Sequence, residues 1–347
     1  MIRRYYATKD NSITNAYEEN LTTRGTGSNM GASDVLEVFS IYGQQASASS
    51  ELMRTIIQFD TAELIADRAA GKVPASGSVS WYLKMFNAPH SQTVPSEFDL
   101  IVSAVSSSWE EGYGLDMDYY EDLTKDVIGS NWIRRTGSTS WASAGGDYHA
   151  SPTFTQTFST GLEDMELDVS DLVEQWVAGT KGNYGFGVKL PDATEALAKS
   201  FFTKKFFGRD SEFYFQRPVI EARWDSSRQD DRGAFYASSS LAPAADNLNS
   251  LFIHNSIRGR LQNIPTLGSN DIYVNLYASL GGAKLAGVFT GSSPSTGIYK
   301  CDVFLETTAS TIYDVWFSGS NEYHSGTIAV KTFASTAYNP ESAYILN

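Results

Sequence analysis

The amino-acid sequence predicts an all-β protein with a larger N-terminal β-sandwich and a smaller C-terminal one. Aromatic residues make up 13% of the 347 residues and charged residues only 19%, a balance that favours strands over helical bundles. Several segments alternate apolar and polar residues, as half-buried strands do. Towards the C-terminus, turn residues recur about every ten positions, a spacing that is typical of sandwiches.

Alternating or continuous apolar segments predict the strands of the N-terminal sandwich. VLEVFSI at residues 35–41 alternates, for example, and RTIIQF at 54–59 has the pattern of a buried strand. The predicted strands lie at residues 35–41, 54–59, 78–86, 98–105, 153–158, 185–190, 198–207 and 219–224. Between Phe59 and Ser78, helix formers followed by Gly71 and Pro74 predict one or two helical turns and a loop.

One short amphipathic helix is predicted within LDVSDLVEQWVAG at residues 167–179. Ser170 is the expected N-cap and Gly179 the expected stop. The apolar side chains Leu172, Val173, Trp176 and Val177 fall on one side of this helix. A helix of about two turns depends on tertiary packing, so we expect Trp176 to be buried against a sheet.

The charged segment DSSRQDDRG at residues 225–233 is the predicted boundary between two domains. The expected division is a first domain over residues 1–225, a linker over 226–233 and an immunoglobulin-like sandwich over 234–347. Its predicted strands lie at residues 234–236, 249–253, 271–279, 286–289, 297–305, 312–318 and 325–333.

Composition and charge narrow the classes of function. The formal net charge of −14 opposes general binding to nucleic-acid backbones, so no nucleic-acid partner is expected. The single cysteine, Cys301, cannot form an intramolecular disulfide, and we expect it to be a buried residue of a strand. The N-terminal MIRRYYATKD is not followed by an apolar run, and no apolar segment of 18 residues occurs. Neither a signal peptide nor a membrane span is therefore predicted.

Several motifs, taken in order, resemble the DNRLRE type of jelly-roll module, which is related to carbohydrate-binding modules. They are ATKDNSI at 7–13, NMGASDVLEV at 29–38, RTIIQFD at 54–60, WEEG at 109–112, LDVSDLVEQWVAGTKGNYGF at 167–186, FFT at 201–203 and RPVIEA at 217–222. The resemblance covers roughly residues 1–225 and implies a jelly-roll fold for the first domain. Family members usually have a signal peptide and a wall anchor, which are not found in this sequence, and this difference argues against a secreted enzyme or wall protein.

The order of the two modules resembles that of virion structural proteins of tailed phages, particularly those that infect marine cyanobacteria. A jelly roll begins at an unprocessed N-terminus, and a second β-module with a Tyr/Asn-rich tail follows it. The resemblance implies a non-enzymatic protein of the neck or collar, tail or capsid, located in the virion after assembly in the host cytoplasm. Its partners would be copies of itself and other virion proteins. A carbohydrate-binding adhesin that recognises host surface glycans is the alternative.

The long segment from residue 109 to 147 has neither helical nor strand periodicity, and such loops are often functional. Its aromatic residues are the predicted interaction or glycan contacts: Trp109, Tyr113, Tyr119, Tyr120, Trp132 and Trp141. Either these rings face a partner, or they fold inward and hold the loop in place. Both alternatives are compatible with the sequence.

Acidic residues in two places suggest a structural calcium ion. Asp116, Asp118, Glu121, Asp122 and Asp126 lie close together in the loop, and carboxylate oxygens suit this ion, although the order of an EF-hand is absent. The resemblance to sugar-binding jelly rolls implies a second candidate set, Asp10, Asn29 and Asp34. The adjacent Glu110 and Glu111 and the four scattered histidines do not form a recognisable catalytic motif, so no enzyme is predicted.

Overall fold

A computed structural model describes residues 1–42, 50–90, 95–117, 119–123, 129–265, 267 and 271–331. It divides into two compact units, Met1–Asp225 and Ser226–Asn347. Strands dominate both units, and the predicted all-β class is confirmed. Among the described residues, no helix has the length and apolar character needed to span a membrane.

The described residues of the first unit form ten strands and three short helices. The strands are β1 (Ile2–Thr14), β2 (Val35–Tyr42), β3 (Ser50–Phe59), β4 (Ser80–Met85), β5 (Phe98–Val105), β6 (Tyr148–Phe158), β7 (Met165–Asp168), β8 (Phe186–Lys189), β9 (Phe201–Phe207) and β10 (Val219–Arg223). The helices are α1 (Ala62–Ala69), α2 (Ser170–Val177) and α3 (Asp192–Glu195), and a 3₁₀ helix covers Tyr214–Gln216. The helical turns predicted after Phe59 correspond to α1, and α2 lies within residues 167–179, where the amphipathic helix is predicted.

Strand β1 connects the two parts of the sheet system of this unit. Residues 2–6 pair with β10, which continues through β4 to β7. Residues 7–14 pair with β3 after a register shift between Ala7 and Lys9, and β3 continues to β2 and β8. Strands β9, β5 and β6 complete this second part. All of these pairs are antiparallel, and apolar side chains from both parts fill one core.

The helix α2 closes this core as predicted, but Ser170 has a different role. Trp176 is buried, and its ring meets that of Phe186 at a centroid distance of 4.8 Å in an edge-to-face arrangement. Val169 rather than Ser170 occupies the N-cap position. The Ser170 hydroxyl instead accepts a hydrogen bond from the backbone N–H of Trp81 at 2.8 Å, which fixes the helix to β4.

In the second unit, the part of the chain that the structure describes contains ten further strands: β11 (Phe235–Tyr236), β12 (Asn249–His254), β13 (Ser256–Ile257), β14 (Arg260–Leu261), β15 (Tyr273–Tyr277), β16 (Phe289–Thr290), β17 (Ser292–Ser295), β18 (Ile298–Val303), β19 (Thr311–Ser318) and β20 (Asn321–Lys331). They form a five-stranded sheet in the order β11-β20-β19-β15-β16, a three-stranded sheet β12-β18-β17 and a β13-β14 hairpin. Cys301 is buried in β18, as predicted, and burial raises the pKa of its thiol to about 12.

The whole predicted linker, residues 226–233, falls within the second unit. Asp231–Gly233 forms a 3₁₀ helix, and the guanidinium of Arg232 donates to both carboxylate oxygens of Asp314 at 3.1 and 2.6 Å. Arg232 also donates to the carbonyl of Phe252 at 2.6 Å. The Asp314 side chain is fully buried, so the segment predicted as a linker supplies the cation for a buried carboxylate.

Candidate interaction surface

Three tryptophans anchor the long loop of the first unit from beneath. Trp109, Trp132 and Trp141 are buried together in a small apolar cluster with residues of β1, β3 and β5. The indole N–H of Trp109 donates to the carbonyl of Tyr184 at 2.9 Å, and that of Trp141 donates to the carbonyl of Asn131 at 2.8 Å. Because their faces are covered by protein, the expectation that these rings contact a glycan or a partner is corrected.

The Trp132 ring is held in place by Arg54 of β3. The guanidinium carbon lies 5.1 Å from the centre of the Trp132 ring, and the guanidinium donates to the carbonyl of Gly145 at 2.9 Å. Glu195 neutralises this buried cation through two hydrogen bonds of 3.1 and 2.5 Å. A cation beside an aromatic face is stabilising, particularly where water is excluded. The loop is thus attached to the sandwich by charge as well as by apolar packing.

Asn29 fixes the polar side of the loop. Its amide N–H groups donate to the carbonyls of Glu111 and Ser130 at 2.7 and 2.8 Å. Its side-chain oxygen accepts from the backbone N–H groups of Gly31 and Gly114 at 3.2 and 2.8 Å. The side chain is buried. These four hydrogen bonds use the full capacity of the amide, so they account for Asn29 without a metal ion.

Asp10 is a buried acid at the edge of the same network. One of its oxygens accepts from the backbone N–H of Arg209 at 2.5 Å, whereas Oδ1 has no hydrogen-bond partner among the described residues. Glu111 accepts from the backbone N–H of Asp10 at 2.8 Å and from the Arg209 side chain at 3.1 Å. The Asp10 side chain is 0% exposed, and burial raises its pKa to about 7.

Those predicted calcium ligands that the structure describes do not form a recognisable metal site. Asp34 has an exposed side chain, while its backbone carbonyl accepts from Gly208 at 2.7 Å. Asp116 is buried, and its carboxylate lies 3.5 Å from the backbone nitrogen of Asn29. Asp118 and Asp126 lie outside the described residues. Within the described ranges, no group of three or more His, Cys, Asp or Glu side chains could hold a metal ion.

Glu110 and Glu111 point to different surroundings. Glu110 accepts from the backbone N–H of Gly137 at 3.1 Å, whereas Glu111 points towards Asp10 and Arg209. Two catalytic carboxyl groups of a glycosidase would have to face the same sugar bond from either side. This geometry therefore provides no support for a hydrolytic pair at these two residues.

Four large apolar or aromatic side chains of the loop are exposed to solvent. Tyr113 is 61% exposed and Tyr119 is 54% exposed, and Leu115 and Leu123 are exposed as well. Tyr120 is only half-buried, but its ring contacts Phe39 at a centroid distance of 6.1 Å, and burial raises its pKa. Two of the six aromatic candidates, Tyr113 and Tyr119, thus remain accessible. With Leu115 and Leu123 they form what we call the loop surface.

A second exposed aromatic group was missed by the sequence reasoning. Phe213, Tyr214 and Phe215 follow one another around the 3₁₀ helix, and all three are at least half exposed, with Phe215 at 74%. The Phe213 ring contacts Phe207 at 5.4 Å, and the Tyr214 ring contacts Tyr6 at 4.6 Å between centroids. Three adjacent aromatic residues break the alternation expected of a strand, and this irregularity is the signal that could have identified them.

The ion pair between Arg209 and Glu111 connects the segment that carries the loop surface with the segment that carries the exposed residues 213–215. Glu111 lies two residues before Tyr113, and Arg209 lies four residues before Phe213. We call Phe213, Tyr214 and Phe215 the aromatic triplet. Because both groups are attached to a rigid frame, they are candidates for binding a partner.

Comparison with known proteins gives no assignment for this chain. No protein-family model matches the sequence. A search of curated proteins finds no match either.

Proposed function

We propose that this chain is a non-enzymatic structural protein of a tailed-phage virion, which decorates or bridges the neck or collar, tail or capsid. The mechanism is binding through exposed loops to other virion proteins and to copies of the chain itself. The observation that carries the proposal is the loop surface: a long, aperiodic segment is anchored beneath by buried tryptophans and Asn29, yet presents Tyr113, Leu115, Tyr119 and Leu123 to solvent.

Physical reasoning connects this arrangement to binding. Aromatic side chains are enriched at protein interfaces, where they bury much area and lose little conformational freedom. A loop that is already ordered loses less entropy on association than a flexible one. The hydrogen bonds of Asn29 and the burial of Trp132 supply that order before a partner arrives. The proposed location in a virion rests on the resemblance of the sequence to phage structural proteins.

The experiment is incorporation into particles, measured by quantitative mass spectrometry of gradient-purified virions. We expect the chain at a fixed copy number relative to the capsid protein. A double variant, Tyr113→Ala with Leu115→Ser, should reduce incorporation at least about tenfold if each side chain contributes ~1 kcal/mol to the contact. Tyr42→Ala removes another exposed tyrosine of the same unit and should be incorporated like the unmodified chain.

Two results would contradict the proposal. Absence of the chain from purified particles would refute its virion role. Equal incorporation of the double variant and the Tyr42→Ala control would show that the loop surface does not form the contact. Circular dichroism of each purified variant separates loss of contact from loss of folding.

An adhesin that binds host glycans is the second candidate, and the exposed rings of Tyr113 and Tyr119 favour it. Such rings can stack on the faces of sugars through apolar contact. A glycan array probed with the purified chain tests this function. Binding that is lost in Tyr113→Ala and Tyr119→Ala, but kept in Tyr42→Ala, would favour the adhesin over a purely structural role.

A further inference from the structure

The five-stranded sheet of the second unit has one face towards its core and one face away from it. Val274 and Leu276 of β15 and Trp316 of β19 belong to the core. Because side chains alternate along a strand, the residues next to them point to the opposite face. We call the following six residues the outer face: Tyr273, Asn275, Tyr277, Tyr313, Val315 and Phe317. All of them except Asn275 are partly exposed.

The outer face has the same arrangement on either side of its centre. Asn275 of β15 lies opposite Val315 of β19 at this centre. Two residues away in each direction, an aromatic residue of β15 lies opposite an aromatic residue of β19. These pairs are Tyr273 with Phe317 and Tyr277 with Tyr313. Since residues of a strand are spaced by about 3.3 Å, each aromatic pair lies about 6.6 Å from the centre.

Asn275 is a buried amide whose hydrogen-bonding capacity is largely unused. Its side chain is 4% exposed, and Oδ1 has no hydrogen-bond partner among the described residues. The amide nitrogen lies 3.5 Å from the hydroxyl oxygen of Tyr277, at the long limit of a hydrogen bond. A buried acceptor without a donor is costly to the folded chain. An amide in this state therefore indicates a partner from outside the single chain.

We propose that two copies of the chain pair through their outer faces. The two-fold axis lies between the two sheets and runs across the strands, along the line from Asn275 to Val315. A two-fold contact brings each surface against itself, so Asn275 of one copy faces Asn275 of the other. A carboxamide has both N–H donors and an acceptor oxygen, and two facing amides can therefore exchange N–H···O hydrogen bonds. The same axis places the rings of Tyr273 and Phe317 over the second copy's other aromatic pair.

The dimensions of packed sheets allow this pairing. Two sheets that pack face to face lie about 10 Å apart. An extended asparagine side chain reaches about 3.5 Å from its Cα atom, so the two amides would end about 3 Å apart, which is a hydrogen-bond distance. Asn275 is covered in the single chain, and neighbouring side chains must turn aside when the copies meet. Such changes of rotamer commonly accompany association.

Charge favours the outer face as the place where two copies meet. The formal net charge of −14 makes copies of the chain repel each other, and like charges that face each other at a contact add to this repulsion. None of the six residues of the outer face is charged. The loop surface, by contrast, lies in a segment that carries Glu110, Glu111, Asp116 and Asp122.

Lys284 reaches the edge of the outer face. Its ammonium nitrogen lies 5.9 Å from the centre of the Phe317 ring, and its side chain is exposed. An exposed lysine can keep its charged end in water while its stem covers apolar surface. Lys284 pairs with Tyr277 and Thr290 pairs with Tyr273, so the proposed axis places Lys284 over Thr290 of the second copy. The two lysines therefore do not face each other.

The size of the sheet predicts a reversible dimer. Its five strands, spaced by about 4.8 Å, span about 24 Å, and the eight residues of β19 span about 26 Å. Each copy thus offers at most about 600 Å², and the pair at most about 1,200 Å², which is the lower end for stable interfaces. We expect a dissociation constant on the order of 10 µM.

Sedimentation equilibrium of the purified full chain tests the pairing. Val315→Lys should raise the dissociation constant at least about tenfold, because two lysines would face each other across the axis. This variant also makes the net charge less negative, so general repulsion between copies cannot explain weaker association. Ile257→Lys is the matched control: it makes the same change of charge at an exposed residue of β13 and should associate like the unmodified chain.

Asn275→Asp examines the amide pair itself. Two ionised carboxylates accept hydrogen bonds but cannot donate them, and they repel each other, so the dissociation constant should again rise at least about tenfold. Circular dichroism and thermal unfolding of each variant separate loss of association from loss of folding.

Two results would overturn the pairing. The first is an unmodified chain that remains monomeric at about 500 µM, roughly fifty times the expected dissociation constant, and it requires no variant. The second is a dimer that forms equally well in folded Val315→Lys and Asn275→Asp, which would place the contact elsewhere.

The pairing rests on the proposed function only through the expectation that copies of the chain meet, and it uses a surface other than the loop surface. Dimers in solution together with absence of the chain from particles would refute the virion role alone. Incorporation of a chain that stays monomeric in solution would refute the pairing alone.

Discussion

Replacing Asp10 by Asn should make the first unit more stable at neutral and alkaline pH. An unfolded Asp ionises with its ordinary pKa of 3.8, whereas burial keeps Asp10 protonated in the folded chain up to about pH 7. The folded state therefore binds the extra proton between these values, and its stability falls as the pH rises from about 4 to about 7. Above pH 7 the full cost of ionising the buried acid is present.

The size of the effect follows from this pKa difference. One pKa unit corresponds to about 1.4 kcal/mol, so the shift from 3.8 to about 7 corresponds to about 4 kcal/mol. Asparagine has the shape of a protonated aspartic acid, and its oxygen can still accept from the backbone N–H of Arg209. We expect Asp10→Asn to exceed the unmodified chain by about 1 kcal/mol at pH 4.5 and by about 4 kcal/mol at pH 8.

Urea unfolding followed by tryptophan fluorescence measures this difference, since six of the seven tryptophans lie in the first unit. Asp210→Asn serves as the control, because the Asp210 carboxylate also contacts Arg209, at 2.9 Å, but is partly exposed. It should retain the pH dependence of the unmodified chain. If the stability gained by Asp10→Asn were the same at pH 4.5 and pH 8, Asp10 would not be a buried neutral acid.

Two further predictions concern stability. Gly185→Ala should destabilise the first unit by ~3 kcal/mol or more, because the new Cβ would lie 2.0 Å from the carbonyl oxygen of Ile57 and φ is +88°. Gly179→Ala should cost only ~1–2 kcal/mol, because φ is +70° but the space around the new Cβ is open. Thermal unfolding followed by fluorescence compares the two variants. Arg232→Met should lower the stability of the second unit by about 3–5 kcal/mol, because the buried Asp314 loses its cation. Faster amide hydrogen exchange in β19 and β20 would report this loss. The control Arg228→Met replaces an exposed arginine and should leave the exchange rates unchanged.

Alternation along the chain predicted the strands that are buried on one face, but it did not identify β1. The residues Ile2–Thr14 carry charged side chains where a simple pattern expects apolar ones. Arg3 pairs with Asp67 at 2.5 Å, and Arg4 pairs with Glu221 at 2.6 Å. A local sequence pattern does not show partners that are so distant along the chain. For this reason the pattern did not predict β1, the strand that joins the two parts of the sheet system.

Composition identified the aromatic loop, but it did not distinguish inward from outward rings. An aperiodic segment has no repeat that assigns a face, so Trp132 and Tyr113 have equivalent sequence contexts. Their burial is decided by contacts of long range, such as the hydrogen bond from Asn29 to the carbonyl of Ser130 and the approach of Arg54 to Trp132. The exposed aromatic side chains of the loop could be identified only once these contacts were known.

The Glu111–Arg209 ion pair links the segments that carry the loop surface and the aromatic triplet. Glu111 accepts from Asp10 of β1 and from Arg209, so it joins the loop surface, the first strand and the segment that leads to the aromatic triplet. Removing this carboxylate would leave Arg209 without its partner in the loop and would loosen both groups together. If one partner binds both, weakening at the loop surface and at the triplet should therefore be coupled, whereas two separate partners would respond independently to changes at Tyr113 and Phe215.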